Sequence, residues 1–223
     1  MTSMGICFDL DGVLIDTMPL HAQAWQEALK EQGMRVARRL IYVWEGEPGT
    51  VTARRLLRHY GRKSTPQAIT ALLHRKEQRF GQLATHIRVH PQLVQALRRL
   101  AHSKVLLGLV TGTSSREIRR ILPRSVLKRF DAIVTGDRVR HGKPHPEPYR
   151  KAFAKLHLKP QQAIVVENAP NGIQAARRAR AGLIIALASS LPKRFLKGAD
   201  LIVDSVDELN RILKQLNGRL TSS

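Results

Sequence analysis

The chain has 223 residues, 43% of them hydrophobic, and 38 Lys plus Arg against 17 Asp plus Glu give a formal charge of +21. A chain this long and this apolar can bury a real core, which excludes a disordered tail, and at about one domain per 150 residues it is one large domain or a core with an insertion. A pI near 11.3 keeps nucleic acid, anionic membrane and phosphorylated metabolites open as partners, while an aromatic content of 4% is poor material for base-stacking platforms.

In chain order, short apolar runs at Ile6 to Leu10, Val105 to Val110, Ala132 to Val134, Ile164 to Val166, Leu183 to Ala188 and Leu201 to Val203 alternate with stretches of helical period. That alternation predicts an α/β fold with a mostly parallel sheet covered on both faces. Predicted helices between the runs are Pro91 to Ala101, Ser115 to Leu122, Glu147 to Leu156, Gly172 to Arg180 and Val206 to Leu216, with Pro91 and Pro170 as start signals and Gly182 as a stop. The first interval differs from the rest. About ninety residues separate the first run from the second, far more than one crossover helix requires, and most of them follow a 3.6 period. An inserted helical subdomain is therefore expected, with helices over His21 to Gln32, Val51 to Tyr60 and Pro66 to about Leu83. The core is expected to comprise residues 1–16 and 88–223, and the helical cap residues 17–87.

The polar residues that carry chemistry stand at the ends of the apolar runs. The first run leads into Asp9-Leu10-Asp11-Gly12, and two carboxylates two residues apart would aim together if the strand continued. Burying such a pair without a counterion is expensive, and a divalent cation removes the difficulty; Gly12 suits a sharp departure from the strand. After Val110 come Thr111, Gly112, Thr113, Ser114 and Ser115, hydroxyls and backbone N–H groups that open a helix and suit an anion. Gly142-Lys143-Pro144 offers one cation in a stiff turn, and Glu167-Asn168 offers two hard oxygen donors. The carboxyl edge of an open parallel sheet is where ligands bind, and this inventory matches phosphoryl transfer with Mg²⁺.

The stretches FDLDGVLIDT from Phe8, LVTGTSS from Leu109, GKPHPEPY from Gly142 and VVENAPNGIQAA from Val165 resemble the haloacid dehalogenase superfamily, in family order and spacing. Within it the chain is similar to the branch with an inserted helical cap that contains β-phosphoglucomutase and many small-metabolite phosphatases. The resemblance implies a Rossmann-like core and a phosphatase acting on small phosphorylated metabolites, sugar phosphates by default. It implies Asp9 as the nucleophile that becomes an aspartyl-phosphate and Asp11 as general acid and then base. Thr111 would hydrogen-bond a phosphoryl oxygen and Lys143 would balance charge. Mg²⁺ would be held by Asp9, the Asp11 carbonyl, Glu167 and Asn168. The last is a departure, because the family usually has a second acid where Asn168 stands.

The cap resembles the mutase at His21, Trp25, Gly46 and Lys76, candidate substrate-binding positions together with Gly12, Gly112 and Thr113. Two mutase features are missing. Gly49 stands where the mutase's phosphate-gripping arginine is expected, with Arg54 or Arg55 as substitutes, and Ser114 and Ser115 stand where it has a Lys-Asn pair. These losses favour a phosphatase over a phosphosugar mutase. A polyanion-binding protein that uses its basic surface is a third reading, although the shortage of aromatics speaks against nucleic acid. The single cysteine, Cys7, and the lack of an opening signal pattern lead to the expectation of a cytoplasmic protein, monomeric or weakly dimeric, without membrane spans. Cys7 itself reads as an inert core residue. The arginine pairs at 38–39, 98–99, 119–120 and 177–178 read as solvated helix faces.

Overall fold

The fold is described from a computed structural model, which covers residues 4–85, 87–103 and 105–221, without the side chains of 219–221. Six parallel strands form one sheet: β1 (Gly5–Phe8), β2 (Leu106–Val110), β3 (Ala132–Val134), β4 (Ala163–Glu167), β5 (Leu183–Leu187) and β6 (Leu201–Val203), in the order β3-β2-β1-β4-β5-β6. The central strands are continuous apolar runs because both faces of the sheet are covered. Ile6, Phe8, Leu107, Leu109, Ile164 and Val166 belong to one buried cluster, and Cys7, Val110, Val165 and Ile184 to a second. Burial pushes the Cys7 thiol up to about 12, so it is the inert core residue expected.

Helices α1 (Met18–Lys30), α2 (Arg38–Val43), α3 (Gly49–His59) and α4 (Pro66–Leu83) fill the long first interval. They carry their own hydrophobic cluster, including Ala22, Trp25, Leu29, Leu56 and Leu72. Thr65 caps α4 by accepting the Ala68 N–H, and Gly33 and Gly61 take positive φ just past α1 and α3, as their stop positions require. The short α2 was not expected. It has only six residues, begins on two arginines and has no side-chain cap, so its period does not rise above that of a loop.

Among the described residues the core side contributes α5 (Pro91–Ala101), α6 (Ser115–Ile121), α7 (Arg124–Leu127), α8 (Glu147–Lys155), α9 (Pro170–Arg178) and α10 (Val206–Thr221). The four-residue α7 lies below what periodicity can detect. Gly182 is not the residue that ends α9; the chain has already turned at Arg180 (φ +63°), and the Gly182 N–H instead reaches the Pro160 and Ala163 carbonyls. Arg38, Arg39, Arg98, Arg119, Arg120, Arg177 and Arg178 are exposed, as expected of solvated faces, but Arg99 is half-buried and donates to Asn210 Oδ1 at 2.6 Å. Among the described residues no helix is long and apolar enough to cross a membrane.

The register aligns the strand ends that matter. Phe8 lies opposite Leu109 on one side and Val166 on the other, so the loops carrying Asp9, Thr111 and Glu167 leave the sheet at one level. The Asp9 N–H still bonds the Val166 carbonyl at 2.9 Å, and then the chain turns away.

Candidate active site

The strand does not continue to Asp11, so the expected side-by-side pair is replaced by two carboxylates with different partners. The turn is made by Gly12 at φ +84°, whose N–H bonds the Ile15 carbonyl, while Val13, Leu14 and Ile15 all return to the Leu10 carbonyl. Asp9 stays with the sheet. Its Oδ1 accepts from Lys143 Nζ at 2.6 Å, and the same ammonium reaches Glu167 Oε1 at 2.6 Å and the Val110 carbonyl at 3.1 Å. Asp11 turns toward the cap and the second loop. Its Oδ1 faces Thr17 Oγ1 at 2.5 Å and His21 Nε2 at 3.1 Å, and its Oδ2 accepts from Thr113 Oγ1 at 2.8 Å and Thr111 Oγ1 at 3.3 Å.

These surroundings set the two carboxyls apart electrostatically. Burial, with the neighbouring Glu167 and Asp11 charges, raises Asp9 well above the ordinary range despite Lys143. Burial would raise Asp11 too, but His21 and the hydroxyls of Thr17 and Thr113 outweigh it and hold Asp11 far below that range. For Lys143, burial opposes the charge, yet Asp9 and Glu167 together raise it, so the ammonium is secure. One ammonium thus faces two buried carboxylates, with no second cation in contact among the described residues.

Glu167 is held from four sides. Lys143 and the Tyr149 hydroxyl, the latter at 2.6 Å, donate to Oε1, and the Asn168 and Ala169 N–H groups donate to Oε2. Gly172 lets α9 pass against this carboxylate, because a Cβ there would lie 1.9 Å from Oε1. Asn168 is the opposite case. Its Oδ1 and Nδ2 are both buried with no hydrogen-bond partner among the described residues, close against Gly12, where a Cβ would come within 2.0 Å of Nδ2. An orphaned amide beside an all-oxygen donor set fits a hard divalent cation, the chemistry of Mg²⁺.

The cap completes the enclosure. Gly46, at φ +85°, rests on the Lys143 stem, and a Cβ there would meet Cδ at 2.8 Å. His21 stacks on Phe80 at 4.1 Å, and Lys76 Nζ lies 4.8 Å from the same ring. Between cap and core is a cavity of about 280 Å³ whose walls include His21, Trp25, Lys76, Gly112 and Thr113. Trp25 belongs both to the hydrophobic cluster of α1–α4 and to the cavity wall. Ser114 and Ser115 are spent on structure: the first caps α6 through the Glu117 N–H, and the second bonds Asp137. Arg55 pairs with Glu47 at 2.9 Å, and Arg54 is exposed.

Sequence reasoning missed several participants. Thr17 and Tyr149 lay inside the quoted motifs, but only the fold reveals that they grip Asp11 and Glu167. Glu45 and Glu47 flank Gly46, and the sequence assigned them no role; burial raises both above the usual carboxylate range. His141, His145 and Glu147 converge to within 4.8 Å on the outer side of the Lys143 loop. There Glu147 already accepts two backbone N–H groups and Lys151, and it acts as a clasp for the loop.

The model of the haloacid dehalogenase-like hydrolases matches residues 6–186. The chain belongs to this family. It is 28% identical over 215 residues to a phosphorylated carbohydrates phosphatase of Thermotoga maritima, covering 95% of this chain and 98% of that one. It is 30% identical over 176 residues to the fructose-1-phosphate phosphatase YqaB of Escherichia coli K12, covering 78% and 92%. A β-phosphoglucomutase structure from Clostridium difficile shares the fold, with a TM-score of 0.84, 22% identity and coverage of 98% and 99%. The α/β core with inserted helices is thus that of a hydrolase family whose relatives are named as phosphatases.

Proposed function

We propose that this enzyme is a Mg²⁺-dependent phosphatase of small phosphorylated metabolites, with sugar phosphates as the leading class, working through an aspartyl-phosphate on Asp9. The observation that carries the reading is the division of labour between the two carboxyls. Asp9 is held by Lys143 through Oδ1, while Asp11 sits in a separate net of His21, Thr17, Thr111 and Thr113 that can hold or pass a proton. One Asp9 oxygen attacks phosphorus and the bond to the ester oxygen breaks; the proton that the hydrogen-bonded Asp11–His21 pair shares passes through Asp11 to that leaving oxygen. Asp11 then takes a proton from water, whose oxygen attacks the acyl phosphate, and the bond between phosphorus and Asp9 breaks to release phosphate. Lys143 offsets negative charge on Asp9 throughout, and cap residues exclude bulk water. Mg²⁺, when bound by Asp9, the Asp11 carbonyl, Glu167 and Asn168, supplies the positive charge that lets an ionised carboxylate meet an anionic phosphate.

The mutase reading is second. It requires a grip on a second phosphate, yet Ser114 and Ser115 are engaged in the α6 start, Arg55 is neutralised by Glu47 and Arg54 is exposed. Phosphate release from a panel of esters, with Mg²⁺ or with EDTA, tests the proposal. Release that requires Mg²⁺ is expected, and isomerisation of a sugar phosphate without release would place the mutase first.

Asn168 gives a separate test of the metal's seat. Asn168→Asp is expected to lower the Mg²⁺ concentration that half-saturates the thermal shift by about tenfold, through one more anionic oxygen. It is also expected to lower the melting temperature of the metal-free protein, because a third buried carboxylate joins Asp9 and Glu167 around one ammonium. An Mg²⁺ response identical to that of the wild type would remove Asn168 from the ligand set.

A further inference from the structure

Two imidazoles and a carboxylate converge on the outer side of the loop that delivers Lys143. His141 and His145 bracket Gly142-Lys143-Pro144, and Glu147 opens α8 just after them. One ligand atom from each of the three lies within 4.8 Å of the other two. A tetrahedral metal with bonds of about 2.1 Å holds its ligands about 3.4 Å apart. His141 and Glu147 already meet that spacing, with Nδ1 3.2 Å from Oε2. Both histidines are exposed, His141 through 64% of its side chain, so rotation about their side-chain bonds closes the remaining gap without moving the backbone. Glu147 is the fixed member. Lys151 and the Arg140 N–H bond Oε1, the His141 N–H bonds Oε2, and these donors, Lys151 foremost, hold the carboxyl down at about 2. A metal on Oε2 therefore meets an ionised oxygen already in place and displaces only the long contact to His141 Nδ1. His145 likewise gives up one long bond, 3.2 Å from the Glu147 N–H to its Nδ1.

We propose that His141, His145 and Glu147 form a metal site outside the catalytic pocket, which takes one Zn²⁺ or Ni²⁺ ion and ties together the two ends of the Lys143 loop. Donor chemistry sets the choice of metal. Mg²⁺ prefers an all-oxygen seat such as the one proposed at Asp9, Glu167 and Asn168, whereas two imidazole nitrogens suit zinc and nickel. Charge points the same way. Lys151 at 2.8 Å from Glu147 and Arg178, bonded to the Pro144 carbonyl at 3.0 Å, put positive charge beside the site. That disfavours an ion held by charge alone and leaves one held by donation from neutral imidazoles. Three protein ligands leave the fourth position to water. The site is independent of the phosphatase reading.

The test is calorimetric titration of Zn²⁺ into the full chain, free of affinity tags, with Mg²⁺ in large excess to fill the oxygen seats. Saturable binding of one Zn²⁺ per chain is expected. His141→Ala and His145→Ala are each expected to weaken it about a hundredfold or more, since even a group that only supports a metal ligand is worth about ten- to a hundredfold in affinity. Both side chains are exposed, so neither variant is expected to change the melting temperature in the absence of Zn²⁺. Co²⁺ in place of Zn²⁺ gives a second readout: the strong visible absorption of a four-coordinate ion is expected in the wild type and is lost in both variants. Failure to bind Zn²⁺ with Mg²⁺ present, or binding that survives either substitution at wild-type strength, would overturn the inference.

Discussion

Lys143→Met is expected to lower stability by about 3–5 kcal/mol and to abolish turnover. The ammonium is buried at 2% exposure and bonds two carboxylates at 2.6 Å each. Methionine keeps most of the stem that Gly46 packs on, so the loss reports the charge and not the shape. Removing it strands Asp9 and Glu167 with no cation in contact among the described residues, and both must then take up protons or move apart. A second substitution separates stability from chemistry. Lys143→Met with Glu167→Gln is expected to recover a substantial part of the lost stability, because one stranded carboxylate is gone, and none of the activity. Chemical denaturation and phosphate release measure the two effects. A single variant as stable as the wild type would show that these carboxylates do not depend on Lys143.

Asp9→Asn is expected to reduce turnover by about a thousandfold or more and to leave folding intact. The amide can still accept the Lys143 hydrogen bond through its carbonyl oxygen, but it is not a nucleophile toward phosphorus. The melting temperature without Mg²⁺ is expected to be no lower than that of the wild type. The reason is the charge count: Asp9 and Glu167 share one ammonium, and burial already raises Asp9 far above the ordinary range. Loss of activity with unchanged or improved stability is the signature of a residue kept for chemistry at the expense of packing. A large drop in stability would instead assign Asp9 a structural role.

Much of this was legible in the sequence, for identifiable reasons. The strands announced themselves because both faces of the sheet are covered, which forces runs such as Ile164 to Val166 to be apolar at every position. The insertion announced itself through length and period. Asp9, Lys143, Glu167 and Asn168 were legible because each follows an apolar run or sits between glycine and proline. The partner of each carboxyl was not. Whether Asp11 lies beside Asp9 or turns to His21 and Thr17 depends on where β1 stops, and the apolar Leu10 masks a stop that occurs at Phe8. The acidic loop at Glu45 and Glu47 was hidden for a similar reason: its contacts, Asn171 on Glu47 and the Lys143 stem against Gly46, come from distant parts of the chain.

Trapping the covalent intermediate tests the role of Asp9 most directly. Wild-type enzyme turning over a phosphate ester with Mg²⁺ is quenched in acid, treated with borohydride, which reduces an acyl phosphate to the alcohol, and mapped by peptide mass spectrometry. Homoserine is expected at position 9 and aspartate at position 11, with no reduction when the ester is omitted. Reduction at Asp11, or steady turnover with position 9 unmodified at every quench time, would contradict that role.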